Sequence, residues 1–265
     1  MATHPNGKTA APAPTHIELR VKRQDGPGLP ARIEAFKIPY KPNLNVISCL
    51  QEIQRNPLTA DGNRTTPVVW DCSCLEEVCG ACSMVVNGKV RQACTALIDQ
   101  LEQPVTLEPM SKFPLVRDLM VDRQRMFEAL KKVRAWVPID GTHDLGPGPR
   151  QASSDQEWMY VLSTCMTCGC CLEACPQVNE HSPFMGAAPI SQVRLFNAHP
   201  SGRLNQAERL RALTGSDGIQ GCGKSQNCVE VCPKRIPLTT SLADLFRATT
   251  VQVVKDWVRR ERPAE

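Results

Sequence analysis

The sequence predicts an α+β fold: a mixed sheet carrying one helix, followed by an all-α half. Two patterns predict it. Up to Leu107, short runs alternate apolar with polar residues around an Asn-Gly turn; from Val116 onward, apolar residues recur at helical spacing. A third observation constrains both halves: eleven of the fourteen cysteines fall into three groups of fixed spacing, one in the first half and two in the second.

The elements follow in order. Residues 1–15, rich in Ala, Pro and Thr, have little to bury and are expected to form a disordered tail. Ile17, Leu19 and Val21 alternate with polar residues as in a half-buried strand. After the turn residues Asp25-Gly26-Pro27-Gly28, a second and less regular strand carries Ile33, Ala35 and Lys37. Val46, Ile47, Leu50 and Ile53 lie on one helical face that ends before Asn56-Pro57. Ser83 to Val86 and Lys89 to Ala93 flank Asn87-Gly88, the residue pair favoured in type I′ hairpins, and Val105 with Leu107 closes the sheet. Beyond a boundary at Pro114, Arg117 to Trp136 reads as a helix through Leu119, Met120, Met126, Phe127, Leu130 and Val133. A Gly- and Pro-rich loop covers Asp140 to Pro149. Further helices are expected over Pro189 to His199, Asn205 to Leu213 and Leu238 to Val258. The last has Leu242, Leu245, Phe246, Val253 and Trp257 as its expected buried stripe.

Composition narrows the function classes. Hydrophobic content of 42% and charged content of 22% are those of a globular protein, and a net charge of +4 without a dense basic block gives no nucleic-acid footprint. No run of about 20 apolar residues is present. With no secretory signal pattern at the start, a cytoplasmic chain is expected. There, clustered cysteines point to metal rather than disulfides. None of the five histidines sits beside a cysteine pair at zinc-ligand spacing, which weighs against the zinc alternative and against a Rieske-type centre.

Cys74, Cys79, Cys82 and Cys94 are spaced C-x4-C-x2-C-x11-C, the opening of a plant-type [2Fe–2S] loop. Residues 16–114 are therefore expected to form a plant-type ferredoxin-like, β-grasp domain. Cys72 competes with Cys74 for the first place, but only Cys74 gives the x4 spacing; Cys49, on a helix, reads as a buried small hydrophobe. Cys165, Cys168, Cys171 and Cys175-Pro176 form the C-x2-C-x2-C-x3-C-P run of two-cluster ferredoxins, in which the fourth cysteine serves the other cluster. On that rule Cys165, Cys168 and Cys171 take Cys232 to hold a [4Fe–4S] cluster, and Cys175 joins Cys222 and Cys228. In the third group Ser225 stands where a second cysteine would be. Three thiolates fit a [3Fe–4S] cluster, with a serine-ligated [4Fe–4S] cluster as the alternative. Cys170 falls outside the register. Residues 115–265 are thus expected to form an all-α domain resembling two-cluster ferredoxins.

With these motifs the chain resembles the iron–sulfur subunit of succinate dehydrogenase and fumarate reductase, respiratory complex II. The likeness rests on Ser73 to Met84, Phe113-Pro114-Leu115-Val116-Arg117-Asp118-Leu119, Cys165 to Cys171 and Cys222 to Lys234, and looks closest to the form of Gram-positive bacteria. The resemblance implies a partner flavoprotein with covalent FAD that oxidises succinate. Electrons then pass through [2Fe–2S], [4Fe–4S] and [3Fe–4S] clusters to quinone at a membrane cytochrome b subunit, the chain itself lying on the cytoplasmic face of the membrane. Ubiquinone-reducing members often carry Trp and His where this chain has Glu180 and Gly223. That departure implies menaquinone and a dihaem membrane subunit. The alternatives are the same subunit working in reverse as a fumarate reductase, or an electron-transfer subunit of another flavin-dependent reductase; many of the latter add a cysteine-rich CCG domain, which does not fit a chain ending at Glu265.

Overall fold

The computed structural model describes residues 15–138 and 150–261. The expected tail up to residue 14 and the Asp140–Pro149 loop lie outside the described residues. Strands β1 (His16–Arg23), β2 (Arg32–Pro39), β3 (Ser83–Val86), β4 (Lys89–Gln92) and β5 (Val105–Glu108) form one sheet in the order β2-β1-β5-β3-β4. β5 lies in the middle of the sheet, parallel to β1 through Leu19↔Val105 and antiparallel to β3 through Val86↔Leu107. Helix α1 (Val46–Arg55) starts at Asn45, whose side chain accepts from the Ser48 N–H, and buries Val46, Ile47, Cys49, Leu50 and Ile53 against the sheet. Asn87 and Gly88 both take positive φ, as the type I′ turn requires.

β2 turns the opposite face inward from the one expected. Phe36 and Ile38 are buried, whereas Ile33 is 62% exposed. The register with β1 pairs Phe36 with Leu19 and Ile38 with Ile17, and those pairs set the parity.

The helix expected from Arg117 is shorter and starts later. Strands β6 (Leu115–Arg117) and β7 (Met120–Val121) form a small hairpin, and only α2 (Gln124–Lys132) is helical. Asp118 at the hairpin turn has φ 47° and is fully buried. Its carboxylate accepts from Arg23 Nε at 2.9 Å and from the N–H groups of Gln24 and Val69 at 3.1 and 2.9 Å. This buried ion pair overrides the helical period and delivers Leu119 to the sheet-side core.

The remaining helices are α3 (Ser153–Ser163), α4 (Cys170–Glu173), α5 (Ala187–Ala198), α6 (Gln206–Ala212), α7 (Asn227–Glu230) and α8 (Leu238–Glu261). Their core gathers Leu162, Leu172, Phe184, Ile190, Leu210 and Leu245, and it also takes Met110 and Phe113 from the segment after β5. The chain therefore passes between two adjoining cores from Met110 to Met126. The stripe expected on α8 holds only in its first half. Leu242 and Leu245 are buried, but Val253 and Trp257 are 51% and 60% exposed, lining a shallow surface hollow with Arg211 and Thr214 at the end of α6.

Candidate metal centres

The loop from Asp71 to Cys82 has no regular structure, and Leu75, Glu77 and Gly80 all adopt positive φ. These turns aim backbone N–H groups inward. Glu76, Val78 and Cys79 donate to Cys74 Sγ at 3.4, 3.3 and 3.3 Å, and Ala81 donates to Cys79 Sγ at 3.4 Å. Led by the Glu76 N–H, the three N–H groups of Glu76, Val78 and Cys79 hold the Cys74 thiol down at about 6, so it is a thiolate at neutral pH. Cys82, entering β3, and Cys94, in a short turn after β4, are both buried, and burial pushes the Cys82 thiol up to about 12. Bound iron would reverse that, since a coordinating thiol is deprotonated outright. The donor set, soft sulfur inside a cradle of amides, fits a [2Fe–2S] group. Cys72 lies in the same neighbourhood: burial raises its thiol, and the charges of Asp71, Cys79, Cys94 and Cys74 add to the effect. Cys49 is fully buried under the sheet.

The two later runs face each other. Cys165 follows α3, Gly169 takes φ 88° before α4, and Cys175 ends that turn; Cys228 sits on α7, followed by Cys232. Asn227 Nδ2 donates to the Ala174 carbonyl at 3.0 Å, joining the two turns. After burial, the charges of Cys168 and Cys232 are what raise the Cys165 thiol, and Cys168, Cys165, Cys228 and Cys232 all act on Cys171. Cys228 is raised by burial and then by Cys175 and Cys222. Cys232 is thus near enough to Cys165 and Cys171 to act on both, Cys228 acts on Cys171 as well, and Cys175 lines one cavity with Cys222 and Cys228, so the thiols of the two runs lie side by side. Among the described residues no three His, Cys, Asp or Glu side chains close on one point as ligands of a single ion do; a polynuclear core takes thiolates that stand further apart. Ser225 is exposed and lines a cavity of about 400 Å³ with Cys175, Cys222 and Cys228, walled by Phe184 and, from α8, Leu242 and Phe246. Gly223 lines the same cavity, and a Cβ there would lie 2.6 Å from the Gln177 amide nitrogen.

The first loop and the second run touch. A Cβ at Gly80 would lie 2.7 Å from Cys168 Cβ, so only glycine fits at that crossing. Ser83 Oγ faces the carbonyls of Gly80 and Cys168 at 2.9 and 2.8 Å, and Arg123 donates to the carbonyls of Gly80 and Ala81. Buried Gln92 reaches both Ser83 and Cys170. Sequence reasoning missed Ser83, Gln92 and Arg123. For Gln92 a signal existed, a polar residue in phase with inward-facing Val90; Arg123 looks like any surface charge.

Comparisons with known proteins agree on both halves. A family model described as "2Fe-2S iron-sulfur cluster binding domain" matches residues 18–128, and one described as "4Fe-4S dicluster domain" matches 161–236. The succinate dehydrogenase iron–sulfur subunit of Bacillus subtilis (strain 168) is 62% identical over 246 residues, spanning 93% of this chain and 97% of the relative. The chain belongs to the family of succinate dehydrogenase iron–sulfur subunits. It is an electron-transfer subunit of complex II, the succinate:quinone oxidoreductase. The fumarate reductase iron–sulfur subunit of Wolinella succinogenes is 30% identical over 81% of this chain and 88% of its own length. A chain of the structure titled "Mycobacterium smegmatis Sdh1 complex in the apo form" has the same fold, with TM-score 0.74 and 23% identity, covering 91% of this chain and 98% of that one. Among the described residues no helix is long and apolar enough to cross a membrane.

Proposed function

We propose that the chain carries electrons from the FAD of a flavoprotein subunit to menaquinone at a dihaem membrane subunit, in the direction of succinate oxidation, from the cytoplasmic face of the membrane. Bound in series, [2Fe–2S], [4Fe–4S] and [3Fe–4S] clusters would supply the one-electron carriers. Cys74, Cys79, Cys82 and Cys94 would hold the first; Cys165, Cys168, Cys171 and Cys232 the second; Cys175, Cys222 and Cys228 the third. The two units would be residues 16–114 and 115–265, meeting where the chain passes between its cores. The likeness to the Bacillus subtilis succinate dehydrogenase subunit carries the functional reading. The crossed neighbours of Cys232 and Cys175 support the ligand sets.

A three-thiolate third site is supported by Ser225, an exposed hydroxyl-bearing residue lining the cavity beside Cys175, Cys222 and Cys228 where a fourth thiol would otherwise stand. That cavity, about 400 Å³, is bounded by the three thiols themselves and has room for the third cluster, which supports Cys175, Cys222 and Cys228 as its ligands. Gly223, pressed against Gln177, and exposed Glu180 replace the His and Trp of many ubiquinone-linked relatives, and this supports menaquinone. Low-temperature EPR on the purified complex is the test. A [3Fe–4S] signal in the oxidised state, and a [2Fe–2S] signal on mild reduction, are expected; two centres instead of three would refute the assignment. Succinate oxidation assayed with menaquinone and ubiquinone analogues tests the quinone and the direction.

A further inference from the structure

Gln92 is a polar residue in a place that needs none. It is 1% exposed at the end of β4, in phase with buried Val90, and its amide contacts three groups. Nε2 donates to Ser83 Oγ at 2.8 Å and to Cys170 Sγ at 3.4 Å, while Cys82 S–H donates to Oε1 at 3.4 Å. Ser83 in turn faces the Cys168 carbonyl at 2.8 Å, and Cys170, fully buried, adjoins Cys171. One side chain therefore joins a candidate ligand of the first cluster to the polypeptide that carries the second.

We propose that Gln92 is a positioning residue of the first cluster, holding the sulfur of Cys82 with its amide N–H from an anchorage on the second cysteine run. The proposal rests on Cys82 being a ligand of that cluster. A sulfur bound to iron has no proton, so a carbonyl oxygen 3.4 Å from it in a dry site is unfavourable. Rotating the amide end for end repairs this. The nitrogen then donates to Cys82, and the oxygen accepts from the Ser83 hydroxyl and the Cys170 S–H, in the positions those atoms already occupy. The Gly80 and Cys168 carbonyls give up the one Ser83 hydroxyl they share, Gly80 keeping Arg123, and a charge-assisted hydrogen bond, roughly twice as strong, forms in exchange. Each electron that the first cluster accepts from the flavoprotein adds one negative charge, shared by its sulfurs, before it passes to the second cluster. An N–H aimed at one of those sulfurs favours the reduced form and raises the potential.

The test is a redox titration of the purified complex followed by EPR. Gln92→Met keeps the length of the side chain and removes the donor. It is expected to lower the midpoint of the first cluster and leave that of the third unchanged. Gln92→Glu keeps the shape, puts oxygen on both arms and is expected to lower the midpoint as well. Loss of the first cluster alone from either variant is the stronger form of the same result. An unchanged first midpoint, equal shifts in all centres, or loss of all centres overturns the proposal. Cys82→Ser separates the two readings: an unaltered [2Fe–2S] signal in that variant refutes the ligand assignment, whereas an altered one with no effect of Gln92→Met refutes only the role of Gln92.

Discussion

Asp118→Ala should detach the first cysteine loop from the sheet that supports it. The carboxylate is fully buried and serves three donors: Arg23 Nε at 2.9 Å and the N–H groups of Gln24 and Val69. Removing one member of a buried ion pair costs about 3–5 kcal/mol. Arg23 would retain Glu34 at 2.6 Å, which limits the loss from the charge itself. The two orphaned N–H groups would add about 1 kcal/mol or more each, so about 3–5 kcal/mol is expected in all. Val69 leads directly into the loop, so the readout is urea-induced loss of the first cluster's absorption in the purified complex. With a urea dependence of about 2 kcal/mol per molar, the midpoint should fall by roughly 1.5–2.5 M. Arg23→Met should cost a similar amount, and the double variant should cost less than the sum, because no unpaired charge is left buried. A midpoint shift below about 0.5 M for Asp118→Ala, or strict additivity in the double variant, would refute the reasoning.

Gly80→Ala combines φ 73° with a Cβ 2.7 Å from that of Cys168, so a loss of about 2–4 kcal/mol in the same urea assay is expected, and an unchanged midpoint would disprove the close approach. Cys232→Ala should abolish the [4Fe–4S] signal and spare the [3Fe–4S] signal; the reverse pattern in EPR would mean that ligands do not cross between the runs. In cluster-free chain, Cys74 should be alkylated far ahead of Cys82, with an inflection near pH 6. Its pKa is depressed, so about nine-tenths is thiolate at pH 7, and the reactivity disappears as pH falls through 6. A rate that rises only above pH 8, read by mass spectrometry of the labelled peptides, would contradict the amide cradle.

The cysteine spacings and the strand alternation made the order of the two halves legible, because a cluster loop and a half-buried strand both impose fixed intervals on the sequence. What was not legible arises from contacts distant in sequence. The inward face of β2 depends on its pairing with β1, since Ile33 and Phe36 are both plausible core residues until the register chooses. The hairpin at Leu115–Val121 depends on Arg23, some ninety-five residues upstream, which pulls Asp118 inside. Local periodicity carries no trace of that partner. At the candidate centres, the sulfur positions could be read from spacing, but the crossing of Gly80 over Cys168 could not, because nothing in either run names the other. The stripe on α8 failed for another reason: a helix with apolar residues on both sides has a period, but the period does not say which side meets the rest of the protein.

That second side has a consequence for how the chain is produced in the cell. Val251, Val253, Val254, Trp257 and Val258 stand between 39% and 60% exposed along the end of α8. A polypeptide released from the ribosome with this ridge bare is adhesive, and copies in excess of the other subunits meet each other or a chaperone first. Its synthesis is therefore best matched in amount and timing to that of the rest of complex II, and a host making this subunit by itself at high level should accumulate it as insoluble material.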